Sequence, residues 1–140
     1  MNQSKLFFIT GVSSGLGRAL AEEVLKAGHR VVGTLRNQQA KDEFEAMAPG
    51  RCFGRILDVT HFAAVAPLVD AVEQKLGAVD VLVNNAGYGH EGIMEESPLS
   101  EALHQFEVNV FGAVAVIKAF LPHLRLIPPC VHSCLQQHIA

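Results

Sequence analysis

The segment Thr-Gly-Val-Ser-Ser-Gly-Leu-Gly, residues Thr10 to Gly17, constrains the fold more than any other stretch of the chain. It follows the apolar run Lys5 to Ile9 and precedes a stretch in which Leu16, Ala19, Leu20, Val24 and Ala27 recur at helical spacing. Glycines this dense, where an extended run hands over to a helix, read as a strand-turn-helix unit whose backbone passes close to its neighbours. Gly11 permits the tight turn out of the strand, Gly17 a close approach of helix to strand, and Gly28 stops the helix.

The alternation continues along the chain. Arg30 to Leu35, Arg51 to Leu57 and Val79 to Val83 are short apolar runs of the kind that make buried parallel strands. Gln38 to Met47 predicts a short helix closed by Pro49-Gly50, and Phe62, Val65, Val69, Val72 and Leu76 predict an amphipathic one stopped at Gly77. After the fourth run, Ser97-Pro98 opens a helix carrying Leu99, Leu103, Phe106 and Val110 on one face. That pattern continues through Val114, Ile117 and Leu121, with a kink expected at Gly112 and an end at Pro122. Strands and helices in this order predict an α/β fold: a Rossmann-like, doubly wound parallel sheet in the order 3-2-1-4, truncated after about four strands. Pro128 and Pro129 fall where a fifth strand is due, and two adjacent residues without an N–H do not pair inside a central sheet.

A chain of 140 residues, 49% hydrophobic and 18% charged, has the apolar content for a buried core and the length of one domain. Eleven Lys and Arg against fourteen Asp and Glu, a net charge of -3 without blocks of one sign, argue against nucleic acid or an anionic membrane as partner. The N-terminal apolar run is too short to span a bilayer, so a cytoplasmic protein is expected. Cys52, Cys130 and Cys134 form no disulfide framework. Cys130 and Cys134 with His132 and His138 match no strong zinc spacing, so no metal is expected.

The glycine-rich turn suits a dinucleotide: Gly15 lets the backbone approach a pyrophosphate at the helix N-terminus, and Ser13 and Ser14 add hydroxyl donors or cap the helix. Its spacing is G-x3-G-x-G, and Asn84-Asn85-Ala86-Gly87 follows the fourth strand. Together these resemble the short-chain dehydrogenase/reductase family over about Lys5 to Leu124, including Asp58-Val59 after the third strand and Asn109 in Val-Asn-Val-Phe-Gly. The resemblance implies that Gly11, Ser13, Ser14, Gly15, Leu16 and Gly17 bind the cofactor diphosphate. It implies that Asp58 and Val59 meet the adenine, and that Asn84, Asn85, Ala86 and Gly87 lie beside the adenosine ribose while stabilising the sheet. From the residues alone, Asp58 also reads as a helix N-cap and Asn84-Asn85 as a polar turn.

An acidic residue at the end of the second strand would accept hydrogen bonds from the ribose of NAD, whereas Arg suits a 2′-phosphate. Residues Arg30 to Lys41 contain no Asp or Glu, and Arg36 stands just past the strand, so NADP(H) is expected over NAD(H).

The resemblance implies hydride transfer between NADPH and a carbonyl or alcohol, which needs a Tyr with a Lys four residues on, a Ser and an Asn. Without a neighbouring cation, a Tyr of pKa near 10 does not serve as acid/base at neutral pH. The single Tyr, Tyr88, has Gly92 four positions on, Lys118 is the last Lys, and Ser133 alone among serines follows Asn109. Asn109 is thus the one match to the catalytic set. His90 and Glu91 read as a polar loop. Residues 1–118 form the expected NAD(P)-binding domain. Residues 119–140 hold half the six Pro, two of three Cys and three of seven His, with no Gly and no acid, and read as an atypical tail. A small carbonyl or alcohol substrate is expected only in a complete form, and the chain alone is expected to be inactive. A non-catalytic NADP(H)-binding module, a partner of a full-length relative and a frame-shifted product are the alternatives, with a homo-oligomer expected through the helix near residues 107–121.

Overall fold

Four parallel strands alternate with helices because each strand is too apolar to face water on either side. The structure is a computed structural model and describes residues 3–126. Strand β1 (Leu6–Ile9) leads into α1 (Gly15–Lys26), β2 (Arg30–Leu35), α2 (Gln38–Glu45), β3 (Cys52–Ile56), α3 (Phe62–Leu76) and β4 (Val81–Val83). A continuous helical segment follows: α4 (Leu99–Phe106), a π-helical turn (Glu107–Gly112) and α5 (Ala113–Leu124). The sheet order is β3-β2-β1-β4, as the alternation predicts. The register sets Phe8 of β1 between Val32 of β2 and Leu82 of β4.

Each face of the sheet carries its own core. On one side Ile9, Val31, Leu35 and Val83 pack with Ala21, Val24 and Leu25 of α1 and Phe44 of α2. On the other, Leu6, Phe8, Val32 and Leu82 pack with Val65, Val69 and Val72 of α3 and Val116, Phe120 and Leu124 of α5. Two arginines help the turns close: Arg30 donates to the carbonyl of Leu76 at 3.1 Å, and Arg51 donates at 2.9 Å to that of Leu25, which also accepts the Gly28 N–H. Cys52 is buried under α2, where its thiol contacts the Phe44 carbonyl and burial pushes its pKa up to about 12.

The last helix departs from its expected form. It runs past Pro122 to Leu124, so the proline sits inside the final turn and does not end the helix. In place of a kink at Gly112 there is the π turn, whose extra residue rotates the helix phase. The packed face after that turn is accordingly Gly112, Val116, Phe120 and Leu124. The expected stripe is exposed instead: Leu99, Leu103, Phe106 and Val110 all face solvent, and α4 buries no residue. By length and composition Leu99–Leu124 is long and apolar enough to cross a membrane, although its Val116 and Phe120 face is packed on the sheet. Strands β3 and β4 are shorter than their apolar runs, with Val79 buried just outside β4. Pro128 and Pro129, Cys130, His132, Ser133, Cys134 and His138 lie outside the described residues.

Phe120 is fully buried, with its ring 4.8 Å from that of Phe8 in an edge-on contact. Phe120→Ala is therefore expected to lower the unfolding free energy by about 3–5 kcal/mol in a urea titration. A loss below about 1 kcal/mol would show that the end of α5 does not pack on the sheet.

Candidate functional site

The carboxyl ends of the strands are tied together by two buried threonines. Thr10, at the end of β1, accepts at its hydroxyl oxygen the N–H groups of Asn85 at 3.0 Å and Ala86 at 2.9 Å. The Asn85 amide returns the contact, donating to the carbonyls of Thr10 at 3.1 Å and Gly11 at 2.9 Å. On the other side Thr34 of β2 accepts the Gly11 N–H at 3.0 Å. The turn after β1 is thus pinned to β2 and to the segment after β4 by side chains as well as backbone.

Glycine is required where these segments meet. Gly11 has a φ of +71°, and a Cβ there would come within 3.0 Å of the Ala86 backbone. A Cβ on Gly17 would collide with the Gly11 carbonyl and the Asn85 amide, so this glycine lets α1 press against the turn and the Asn84–Gly87 segment. Ser14 is the N-cap of α1 but its hydroxyl makes no capping bond, leaving the first N–H groups of the helix open to an anion.

In front of this junction lies a cavity of about 250 Å³. Of the expected cofactor residues, Gly11, Ser13, Ser14, Arg36, Asp58, Val59, Asn85, Ala86 and Gly87 line it. Gly15, Leu16, Gly17 and Asn84 do not, and neither does Asn109. Asn37, beside Arg36, lines it as well, together with Thr34, Leu35, Leu57, Tyr88, His104 and Val108, to which the sequence assigns no cofactor role. Tyr88 adjoins Asn84–Gly87 in sequence, a signal that could have found it, whereas His104 and Val108 share a helix face that only tertiary packing brings to the cavity.

Asp58 accepts at one carboxylate oxygen the Thr60 N–H at 2.9 Å and hydroxyl at 2.7 Å. These bonds, with smaller contributions from Arg36 and His104, hold its carboxyl below the ordinary range and keep it anionic. It caps a local turn, while His61 occupies the N-cap position of α3. Asn37 caps α2 by accepting the Ala40 N–H at 2.8 Å, which fixes the chain immediately after Arg36.

Asn109 sits in the π turn and clasps the backbone of Tyr88: its amide oxygen accepts the Tyr88 N–H and its amide nitrogen donates to the Tyr88 carbonyl, each at 2.7 Å. The Tyr88 hydroxyl donates to Glu101 at 2.6 Å, and that bond raises the phenol above its usual pKa. A phenol so held keeps its proton, the opposite of what an acid/base tyrosine needs. His90, unpartnered in the sequence reading, has its ring 3.0 Å from the Ser97 hydroxyl and 3.5 Å from Glu101. Its N–H also donates to Gln105 at 3.2 Å, so the loop after β4 is tied to α4, while Glu91 is exposed.

Asn84 is nearly fully buried, yet neither atom of its amide has a partner among the described residues, and the Asn85 amide oxygen is likewise unpaired. Such groups cost about 1–3 kcal/mol each while unmet.

Thr10→Val keeps the shape but leaves the Asn85 and Ala86 N–H groups without their acceptor. A loss of about 2–4 kcal/mol and faster amide exchange at both positions is expected, with Thr10→Ser restoring most of each. Unchanged exchange in the valine variant would refute the role given to Thr10.

The short chain dehydrogenase family matches residues 5–127 of this chain. The chain is 39% identical over 123 residues to oxidoreductase BOA17 of Botryotinia fuckeliana, covering 87% of this chain and 45% of that protein. It is 36% identical over 115 residues to the NADPH-dependent 3-dehydrocapnine reductase of Ornithobacterium rhinotracheale, covering 81% and 41% of the two. Among solved structures, a short-chain dehydrogenase from Streptomyces avermitilis superimposes with a TM-score of 0.84 at 40% identity, covering 90% of this chain and 46% of that one. The chain thus spans less than half the length of these relatives. Glycine turn, Asn84–Gly87 segment, sheet order and matched span agree, and the chain belongs to the short-chain dehydrogenase/reductase family.

Proposed function

We propose that this chain is the NADP(H)-binding part of an oxidoreductase that moves hydride between the nicotinamide and a carbonyl or alcohol. The observation that carries the reading is one cavity lined by the glycine turn, Arg36 and Asp58 together. The uncapped N-terminus of α1, with Ser13 and Ser14, suits the diphosphate, and Gly11, Gly15, Leu16 and Gly17 shape that turn. Arg36 suits a 2′-phosphate, and nothing acidic stands at the end of β2 to favour the free hydroxyl. Asp58, kept anionic by Thr60, accepts from the adenine amino group, with Val59 beside it. Asn84, Asn85, Ala86 and Gly87 border the ribose. The NADPH named for the Ornithobacterium reductase agrees with this preference.

When bound, the dinucleotide supplies or accepts hydride. The chain's own residues bind and orient it, and Asn109 contributes by fixing the loop at Tyr88. The proton-transfer Ser, Tyr and Lys of the family have no counterparts here, so we assign turnover on a small carbonyl or alcohol to a complete form, and binding to this one. The missing Tyr-x3-Lys pair favours, as a second reading, a non-catalytic NADP(H)-binding module. The exposed Phe111, Val114 and Leu121 in residues 107–121 support self-association or pairing with a full-length relative. The protein is assigned to the cytoplasm, and neither nucleic acid nor membrane to its partners.

Fluorescence titration of the purified chain should show NADPH binding tighter than NADH. Arg36→Asp should raise the NADPH Kd by about tenfold or more while leaving NADH unweakened. No NADPH oxidation should occur with a panel of aldehydes and ketones. An unchanged NADPH Kd in the variant would defeat the 2′-phosphate assignment, and robust turnover would defeat the division of labour.

A further inference from the structure

Helix α4 buries no residue, and its Leu99, Leu103 and Phe106 are exposed. His104 of α4, with Val108 just after it, nonetheless lines the cavity, so this wall is held by means other than a packed core. The holding contacts meet at Tyr88, which lines the same cavity. Its hydroxyl donates to Glu101 of α4 at 2.6 Å, and its ring meets that of His104 edge-on with centroids 5.0 Å apart. Glu101 also lies 3.5 Å from the His90 imidazole, and the His90 N–H donates to Gln105. From the π turn, Asn109 grips the Tyr88 backbone at both its N–H and its carbonyl.

We propose that Glu101 is a positioning residue for the dinucleotide, holding the Tyr88 ring as the joint between the loop after β4 and the α4 wall of the cavity. This rests on the reading of the cavity as an NADP(H) site. Glu101 does not itself line the cavity, so its effect passes through Tyr88. Asn109 fixes the backbone of Tyr88 but leaves its side-chain torsions free, and the hydroxyl bond at the far end of the ring fixes those. A carboxylate acceptor makes that bond charge-assisted, shorter and stronger than a neutral one. Glu101 stands in the first turn of α4, where a negative charge also suits the positive end of the helix. The ring is thereby ordered before any ligand arrives, so binding does not have to order it.

The chain has one Tyr and no Trp, so its ultraviolet phenolate band belongs to Tyr88 alone and reports the bond with no ligand present. In the wild-type chain that band is expected to rise above the ordinary tyrosine range, and in Glu101→Ala to return to it. NADPH dissociation constants are then compared for the wild-type chain, Glu101→Ala, Glu101→Gln, Tyr88→Phe and the double variant of Glu101→Ala with Tyr88→Phe. Glu101→Ala and Tyr88→Phe are each expected to raise the Kd roughly three- to tenfold, and the double variant no further than either alone. Glu101→Gln, which keeps an acceptor without the charge, is expected to recover most of the binding. Glu95→Gln, which removes a charge from an exposed position of the same loop, is expected to change neither readout. An unchanged phenolate titration in Glu101→Ala overturns the proposal, as do unchanged Kd values in both single variants or losses that add in the double variant. Failure of Glu101→Gln to recover binding overturns it too, since the charge on α4 and not the held ring would then be what matters. A wild-type chain that shows the raised phenolate titration but binds no dinucleotide removes the reading of the cavity itself, an outcome distinct from each of these.

Discussion

The junction of Thr10, Asn85 and Gly17 is the contact on which the remaining architecture depends. A parallel sheet presents the carboxyl ends of its strands side by side, and the loops leaving them diverge unless something joins them. Here one hydroxyl oxygen takes two N–H groups from the segment after β4, and one amide returns two bonds to the turn after β1. Because these groups are buried, each bond replaces one that water no longer supplies, and losing one partner strands the other. Gly17 makes the arrangement possible sterically, since any side chain there would occupy the space of the Gly11 carbonyl and the Asn85 amide. The cavity follows from that junction, being the space left in front of it.

The fold was largely legible in the sequence because its elements are separated by residues with unambiguous backbone roles. Gly28 and Gly77 both adopt positive φ where α1 and α3 give way to the next segment, and the sheet order follows from right-handed crossovers. The part that failed was the last helix. A period read from residue types assumes one turn geometry throughout, and the π turn at Glu107–Gly112 breaks that assumption. Val116 and Phe120 are buried where an unbroken α-helical phase pointed to Val114 and Leu121. The reason lies in a contact distant in sequence: a Cβ on Gly112 would come within 2.7 Å of the Val59 side chain, so the backbone packs closely there.

The site was legible in proportion to how local its residues are. Gly11, Ser13, Ser14, Asp58 and Asn85 belong to contiguous segments at strand ends, and the structure brings them to one cavity. Thr34, His104 and Val108 were missed because each reaches that cavity from an element whose orientation only tertiary packing sets. Asn109 shows a third situation. Its residue type marks it in sequence, but its two bonds to the Tyr88 backbone give it a task, bracing a loop, that no spacing within the helix reveals.

The cavity borders come from the turn after β1, the ends of β2 and β3, the segment after β4 and the final helix, five pieces of chain. An occupant therefore acts as a crosslink between them. By mass action a ligand held only by the folded form at a hundred times its Kd adds about 2.7 kcal/mol to stability, a large share of the margin of an ordinary domain. In a chain with this geometry, a molecule that fills the cavity raises the free energy of unfolding as its concentration climbs above its Kd.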